Sequence, residues 1–184
     1  TSLRKAVRCF LDATWDRTIT LRNLDLSHVT CISNNLKQSL LDQGAPISNA
    51  EVIYQGIPLE RFPLKKDFLG QLHHPIRLLY SGQLHEYKGT HLALSALHRL
   101  NEKTPGAYTL TIAGTGPKQY EQQLKKQAET LGIDPLVTFA GKLPRDEMSS
   151  TYQSHDILLV TSLWEEPFGL IHLEAMASGT PVIS

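Results

Sequence analysis

Two glutamates on either side of a proline–glycine turn are the side chains with the clearest chemical potential in this sequence. Pro167 and Gly169 interrupt regular backbone between them, which predicts that Glu166 lies on a loop and Glu174 on the helix that follows. Carboxylates placed in this way can accept hydrogen bonds from several hydroxyl groups, as a sugar and a ribose require. The same spacing is also compatible with two solvated glutamates beside a capped helix.

Backbone amides at two predicted helix starts could bind an anion. Phe168, Gly169 and Leu170 stand at the first start, where N–H groups favour a negatively charged ligand such as a diphosphate. The second is Lys88-Gly89-Thr90, where glycine allows close backbone approach and lysine adds a full positive charge. Its residue order excludes the phosphate loop, which requires Gly-Lys-Ser or Gly-Lys-Thr. An ordinary helix cap explains this second segment equally well.

A glycine turn after another predicted strand also invites a nucleotide interpretation. Gly114 and Gly116 are followed by Gln119, where the dinucleotide fingerprint needs a third glycine. The next strand ends in Phe139-Ala140-Gly141 and not in the acidic residue of that fingerprint. Hydride transfer is therefore disfavoured, and a turn that lines a nucleotide pocket is the better interpretation.

Composition and residue spacing exclude several other classes of protein. Lys plus Arg and Asp plus Glu both total 18, so the formal net charge is zero and nucleic acid is not expected as the main partner. The eight histidines lack the spacing of metal ligands, and no Gly-x-Ser-x-Gly elbow marks a serine nucleophile. Cys9 and Cys31 are expected to be reduced. With no membrane-spanning stretch and no signal peptide, we expect a cytoplasmic location.

From Ile76 onward, strands and helices alternate with short connections, which predicts a parallel sheet wrapped by helices on both faces. Ligands of such sheets bind at the carboxyl ends of the strands, where the glycine turns and both glutamates are expected to lie. The predicted strands are 76–81, 108–113, 137–140, 157–160 and 181–184, and the predicted helices are 90–100, 119–131, 145–154 and 169–177.

The earlier part of the chain predicts a different unit. Helices are expected at 3–15 and 35–42, with strands at 28–33 and 52–54. Prolines, a charge cluster and glycine then loosen the pattern from Arg61 to Pro75. We expect residues 1–62 to be the remnant of an N-terminal domain, 63–75 a linker, and 76–184 an incomplete C-terminal domain, with the chain cut at both ends.

Five collinear segments resemble glycosyltransferase family 4, a family of retaining enzymes with the two-domain GT-B fold. The pair Glu166 and Glu174 resembles its E-x7-E signature, and Ser81 to Gly89 resembles its loop that ends in Lys-Gly. The other matching segments are the interdomain stretch Val52 to Phe62, the glycine turn Leu110 to Pro117 and the strand Val137 to Gly141. Together they cover about Ser27 to Ser184, in the family's order.

The resemblance implies a role for each residue of a donor site. Glu174 would bind the ribose of the nucleotide, Glu166 the hydroxyls of the donor sugar, and Lys88 the diphosphate. Lys88 and Glu166 are thus the expected catalytic residues. The full expected donor-binding set is Gly82, Gln83, Lys88, Gly114, Gly116, Gly141, Lys142, Leu143, Glu166, Phe168, Gly169, Leu170 and Glu174.

Two positions depart from the family pattern. Gln83 stands where the family usually has a phosphate-binding arginine, which gives Lys88 more of the leaving-group charge to neutralise. Gln55 replaces the usual asparagine of the interdomain strand.

The function implied is transfer of a sugar from a nucleotide-diphosphate sugar, with a UDP-sugar expected, to a hydroxyl of a glycan, lipid or small molecule. No metal and no cofactor is expected, and the nucleotide sugar is the substrate. Because a lipid-linked acceptor is common in the family, peripheral contact with the inner membrane face is compatible with it, through a part upstream of Thr1. Two alternatives stay open: a fragment that binds nucleotide sugar without transfer, and a sugar-nucleotide epimerase of the same fold.

Overall fold

A computed structural model of the chain describes residues 26, 28–65 and 74–184. It separates into two compact units, one formed by Thr1–Gly56 and Trp164–Gly169 and the other by Ile57–Leu163 and Leu170–Ser184. The helix expected at residues 3–15 and positions 66–73 of the expected linker lie outside the described residues.

The first unit contains a short parallel ladder and one helix. Strand β1 (Thr30–Cys31) pairs in parallel with β2 (Glu51–Val52), and helix α1 (Asn34–Asp42) lies between them in the chain. The Ser33 hydroxyl accepts the Leu36 amide at 3.1 Å, so Ser33 is the helix cap that its residue type predicts. Both strands are shorter than expected.

The second unit is built on a five-stranded sheet in which every pairing is parallel. Its strands are β3 (Ile76–Ser81), β4 (Tyr108–Ala113), β5 (Val137–Gly141), β6 (Ile157–Leu159) and β7 (Val182–Ile183), in the order β5-β4-β3-β6-β7. The chain builds outward from β3 on one side and then returns to the other. The carboxyl end of β3 is therefore the topological switch point, where sheets of this kind bind ligands.

Helices cover both faces of this sheet, as predicted. The longer ones are α2 (Thr90–Lys103) and α3 (Lys118–Thr130), and the shorter ones are α4 (Met148–Gln153) and α5 (Leu170–Ala177). Side chains of α2 and α3 pack with Leu78 and Tyr80 in one core cluster, whereas those of α4 and α5 pack with Leu79 in another. Because side chains alternate along a strand, these clusters lie on opposite faces.

Two local features differ from the sequence-based expectation. Helix α4 begins at Met148 and not at Arg145, because residues 145–147 form a turn in which the Glu147 amide donates to the Pro144 carbonyl at 3.1 Å. Strand β5 contains a bulge. Ile112 pairs with Phe139, but Ala113 pairs with Gly141, so Ala140 is an extra residue on β5. Within the described residues, no helix has both the length and the apolar character needed to cross a membrane.

Candidate functional site

Three glycine turns are tied together at the carboxyl edge of the sheet. The Gly82 amide donates to the Ala113 carbonyl at 3.0 Å, and the Gly114 amide donates to the Gly141 carbonyl at 2.7 Å. A side chain at Gly114 would overlap the carbonyl oxygen of Gly82, so this close approach requires glycine. The turns after β3, β4 and β5 thus form one connected rim.

Gly116 contributes to this rim through its own turn. Its amide donates to the Glu121 carboxylate on α3 at 2.8 Å, so that N–H already has a partner within the protein. Leu84 reaches across from the first turn, and its amide donates to the Thr115 carbonyl at 3.0 Å. The backbone of this loop is therefore held in place from both sides.

Lys88 lies at the end of a 3-10 turn, Glu86–Lys88, directly before α2. Gly89 has a φ of 69°, and a Cβ there would overlap the carbonyl oxygen of Thr161, which explains why a glycine separates the lysine from the helix. The Thr161 hydroxyl donates to the Gly89 carbonyl at 2.8 Å. Helix α2 has no side-chain cap and no acidic residue in its first turn. The partial positive charge of its amino end, which follows Lys88, is therefore not offset within the helix.

The loop before Lys88 carries an aromatic stack. The His85 and Tyr87 rings are 5.3 Å apart and nearly parallel, and the Lys88 ammonium lies 5.7 Å from the Tyr87 ring centroid. The Tyr87 hydroxyl donates to the Gln83 Oε1 at 3.4 Å. With its carbonyl oxygen used in this way, the exposed Gln83 side chain retains two N–H donors but brings no charge.

A buried hydroxyl marks the start of α2. Thr90 is 0% exposed, and its Oγ1 has no hydrogen-bond partner among residues 26, 28–65 and 74–184. An unsatisfied buried hydroxyl carries a free-energy penalty of roughly 1–3 kcal/mol. The first residue of α2, two positions after Lys88, therefore has a buried hydroxyl group without a hydrogen-bond partner among the described residues.

Glu174 lies on α5, as predicted, and its carboxylate is held by a residue that sequence reasoning missed. The Tyr152 hydroxyl donates to Glu174 Oε2 at 2.9 Å. The Ser81 side chain, at the last position of β3, lies close enough to the Tyr152 hydroxyl to act on its pKa, in the lowering direction. Burial and the neighbouring Glu174 charge raise the pKa of Tyr152 well above its usual value. No local signal in the sequence joins these three positions.

The turn after β5 presents two unlike side chains. Gly141 closes the strand, Lys142 is exposed, and Leu143 packs against the core cluster that also contains Leu79. The backbone of these residues follows the bulge at Ala140 and borders the Gly114 turn through the Gly114–Gly141 hydrogen bond.

The segment Trp164–Gly169 groups with the first unit. Glu166 is half-buried, and the Phe168 ring lies 6.0 Å from that of Tyr54 in a tilted arrangement. Gly169 has a φ of 80° directly before Leu170, where α5 begins in the second unit. Glu166 and Glu174 therefore belong to different units. In the part of the chain that the structure describes, no group of three or more His, Cys, Asp or Glu side chains could hold a metal ion.

The family model for glycosyl transferases group 1 matches residues 63–184, which include the whole sheet and all the loops at its carboxyl edge. The chain belongs to the glycosyl transferases group 1 family. The glycogen synthase of Mycobacterium tuberculosis is 35% identical over 161 residues, which cover 86% of this chain and 37% of that enzyme. The D-inositol 3-phosphate glycosyltransferase of Corynebacterium kroppenstedtii is 32% identical over 120 residues, 63% of this chain and 26% of that enzyme.

A solved structure supports the fold assignment. Anabaena Alr3699/HepE, crystallised in complex with UDP and glucose, has a TM-score of 0.74 and 23% sequence identity, and the match covers 86% of this chain and 44% of that one. The α/β fold with a parallel sheet, as found in GT-B glycosyltransferases, is thereby confirmed. The chain spans about two fifths of the length of several of these relatives.

Proposed function

We propose that this chain carries the donor site of a retaining glycosyltransferase that uses a nucleotide-diphosphate sugar, with UDP as the nucleotide. The observation that carries the proposal is that a cation and a carboxylate are both tied to the carboxyl end of β3. Lys88 ends the loop that follows this strand, and the Tyr152 hydroxyl, which donates to Glu174, lies near Ser81, the strand's last residue. A diphosphate and a ribose need these two groups.

Each group has a distinct proposed task. Glu174 accepts hydrogen bonds from the ribose. Lys88 and the Leu170 amide, at the start of α5, stabilise the diphosphate. The backbone of 141–143 borders the base. Gln83 offers hydrogen-bond donors but no charge, so Lys88 is the cation on which leaving-group stabilisation depends most.

The proposed reaction retains the configuration of the sugar. The bond between the anomeric carbon and the diphosphate oxygen breaks as the acceptor oxygen forms its bond from the same face. The acceptor proton passes to the leaving diphosphate. Because negative charge develops on the diphosphate, the protein's main contribution is electrostatic, through preorganised donors and a lysine that need no reorganisation during the reaction.

The relatives agree with this class of chemistry. The curated relatives include a glycogen synthase and an inositol phosphate glycosyltransferase, and HepE was crystallised with UDP and glucose. These names favour UDP as the nucleotide and a hydroxyl acceptor on a glycan, a lipid or a small molecule.

Calorimetric titration of the 184-residue chain with UDP-, GDP- and ADP-sugars tests the donor site. We expect one nucleotide series to bind with a Kd between about 1 μM and 1 mM, the range in which enzyme KM values usually fall. Lys88→Ala should weaken that binding, whereas Lys126→Ala, an exposed lysine on α3, should not. If no nucleotide sugar binds the wild-type chain, the donor-site proposal is wrong.

Product analysis of the complete protein tests the reaction. A nucleotide sugar labelled in the sugar should yield a labelled acceptor whose anomeric configuration matches that of the donor, as read by the NMR coupling constant. Conversion of the nucleotide sugar into its epimer, with no labelled acceptor, would favour the epimerase instead. Binding without either product would leave only the nucleotide-binding role.

A further inference from the structure

Tyr152 is a core residue in every respect but its hydroxyl group. It is 0% exposed, and its ring belongs to the core cluster that contains Leu79, Leu158 and Ala175. The Phe62 ring centroid lies 6.3 Å from it. The Thr180 hydroxyl donates to the Tyr152 carbonyl at 2.7 Å, so the backbone of this residue is fixed as well. The ring therefore has little freedom to change position.

The hydroxyl of Tyr152 lies between two polar side chains. It donates to Glu174 Oε2 at 2.9 Å, and the Ser81 side chain lies close enough to act on its pKa. Burial and the adjacent carboxylate raise the pKa of Tyr152, so the phenol keeps its proton. A phenol that stays protonated can only donate to the carboxylate.

This contact uses one oxygen of Glu174 and leaves the other. Among the described residues, no second side chain donates a hydrogen bond to the Glu174 carboxylate. Glu174 is half-buried, and it lies on α5, whose backbone is fixed by the helix. Fixing Oε2 also fixes the plane of the carboxylate, and hence the position of Oε1.

We propose that Tyr152 is a positioning residue that holds the Glu174 carboxylate so that its second oxygen accepts a ribose hydroxyl, and thereby makes the site select ribonucleoside over deoxyribonucleoside diphosphates. The inference rests on the donor site proposed above. In this proposal, Tyr152 on α4 sets the preference of Glu174 on α5 for a ribose hydroxyl. Without the phenol, the Glu174 side chain can adopt several rotamers. Ribose binding must then order that side chain, and the entropy lost weakens the contact.

The test compares ribo- and deoxyribonucleotides. UDP, 2′-deoxy-UDP and 3′-deoxy-UDP are titrated calorimetrically into the 184-residue chain, with the GDP or ADP series used if it binds more tightly. In the wild type we expect one deoxy compound to bind about tenfold or more weakly, as for a hydrogen bond to a charged group. Tyr152→Phe should reduce that ratio to about threefold or less, and Ser81→Ala should lower it by a smaller factor.

Two further variants separate positioning from general stability. Tyr120→Phe is the matched control, because Tyr120 is a 9% exposed tyrosine of the same unit whose hydroxyl lies 2.9 Å from His91 Nδ1. This control should leave the ratio unchanged. Glu174→Gln should lower the ratio, and adding Tyr152→Phe to it should have no further effect. Thermal melting of each variant shows whether it folds, and Ser81→Ala serves as the test if Tyr152→Phe does not.

The outcomes distinguish the two proposals. If the wild type binds no nucleoside diphosphate, the donor site itself is refuted. If the wild type binds UDP and discriminates, but folded Tyr152→Phe and Ser81→Ala discriminate equally well, the positioning role is refuted and the donor site stands. If the wild type binds ribo- and deoxyribonucleotides alike, ribose recognition by Glu174 is refuted together with the positioning role.

Discussion

The two ends of strand β3 carry polar networks of opposite kinds. At the amino end, Asp156 accepts from the Arg77 amide at 2.8 Å and from its guanidinium at 3.2 Å on each carboxylate oxygen, so both oxygens are used. At the carboxyl end, Tyr152 lies near Ser81 and donates to one oxygen of the Glu174 carboxylate. One network is closed within the protein, and the other can still accept a ligand.

This difference separates stability from binding along a single strand. A buried carboxylate with a full set of donors fixes neighbouring elements, and here it joins β3 to the residue before β6. A carboxylate with an oxygen in reserve contributes less to the folded state but can exchange water for a hydroxyl at little cost. We therefore expect substitutions at the amino end to alter unfolding and substitutions at the carboxyl end to alter ligand handling.

The largest expected effect is at the carboxyl end. Lys88→Ala in the complete protein should lower the turnover number by about 100-fold or more, because it removes charge stabilisation that develops with the leaving group. Glu174→Ala should change the preference among donor sugars by a much smaller factor than the factor by which Lys88→Ala lowers turnover. Urea unfolding of the Lys88→Ala chain should stay within about 0.5 kcal/mol of the wild type. Wild-type turnover in Lys88→Ala would contradict the role given to this residue.

The reciprocal experiment breaks the amino end. Asp156→Asn keeps the shape of the side chain but removes the charge that faces Arg77, whose partner atoms are 3.2 Å away. The free energy of unfolding should fall by about 2–4 kcal/mol, as for other broken buried ion pairs. Calorimetric Kd values for the nucleotide should be unchanged in the folded variant. If Asp156→Asn lowered the affinity for the nucleotide without lowering the free energy of unfolding, the amino end of β3 would serve binding and not stability.

Two buried threonines allow a hydroxyl group with a hydrogen-bond partner to be compared with one that has none in the described part of the chain. Thr180, before β7, donates to the Tyr152 carbonyl at 2.7 Å, whereas the Thr90 hydroxyl has no partner among the described residues. Thr180→Val should cost about 1 kcal/mol, and Thr90→Val should be neutral or slightly stabilising, because only the first removes a hydrogen bond. Urea unfolding of the two variants side by side measures the difference. Equal losses would mean that both hydroxyls are satisfied.

The smallest expected effect is a pH dependence at the amino end. His155 Nδ1 lies 2.7 Å from the Thr151 carbonyl, to which it donates, and Nε2 lies 2.9 Å from the Thr111 hydroxyl, an arrangement that the neutral ring satisfies. Burial lowers the pKa of His155 below 6.5, with the nearby Arg77 and Lys65 charges acting in the same direction and Asp156 opposing them. The unfolded chain therefore binds a proton first as the pH falls.

The stability contribution of His155 is consequently complete above pH 6.5 and is lost as the pH falls toward the lowered pKa. Between pH 7.5 and 5.5 the melting temperature should drop by about 1–3 °C more in the wild type than in His155→Gln, a modest difference because the ring is only partly shielded from solvent. Identical pH profiles would show that His155 keeps its ordinary pKa.

Local sequence patterns were enough to predict the order of strands and helices in the second unit. Strand and helix alternate as expected, because apolar periodicity and glycine stops are properties of neighbouring residues. The start of α2 at Thr90 agrees with prediction, and α5 begins one residue later than predicted, at Leu170. Glu174 was correctly expected on a helix, whereas its role as a ribose ligand stays a prediction.

The parts that were missed depend on contacts between distant positions. Ser81, Tyr152 and Glu174 meet only after β3, α4 and α5 have packed, and nothing near Tyr152 in the sequence marks it as different from another core tyrosine. The grouping of Trp164–Gly169 with the first unit is likewise a long-range property. Hydrophobic patterns show that a side chain is buried, but they do not identify its partner.

The bulge at Ala140 makes the length of β5 matter as well as its residue types. Ile112 pairs with Phe139 and Ala113 with Gly141, so a deletion of Ala140 would shift Gly141 by one position along β4. The Gly114–Gly141 hydrogen bond and the turn that carries Lys142 and Leu143 depend on that position, so this region should tolerate a substitution at Ala140 better than its deletion.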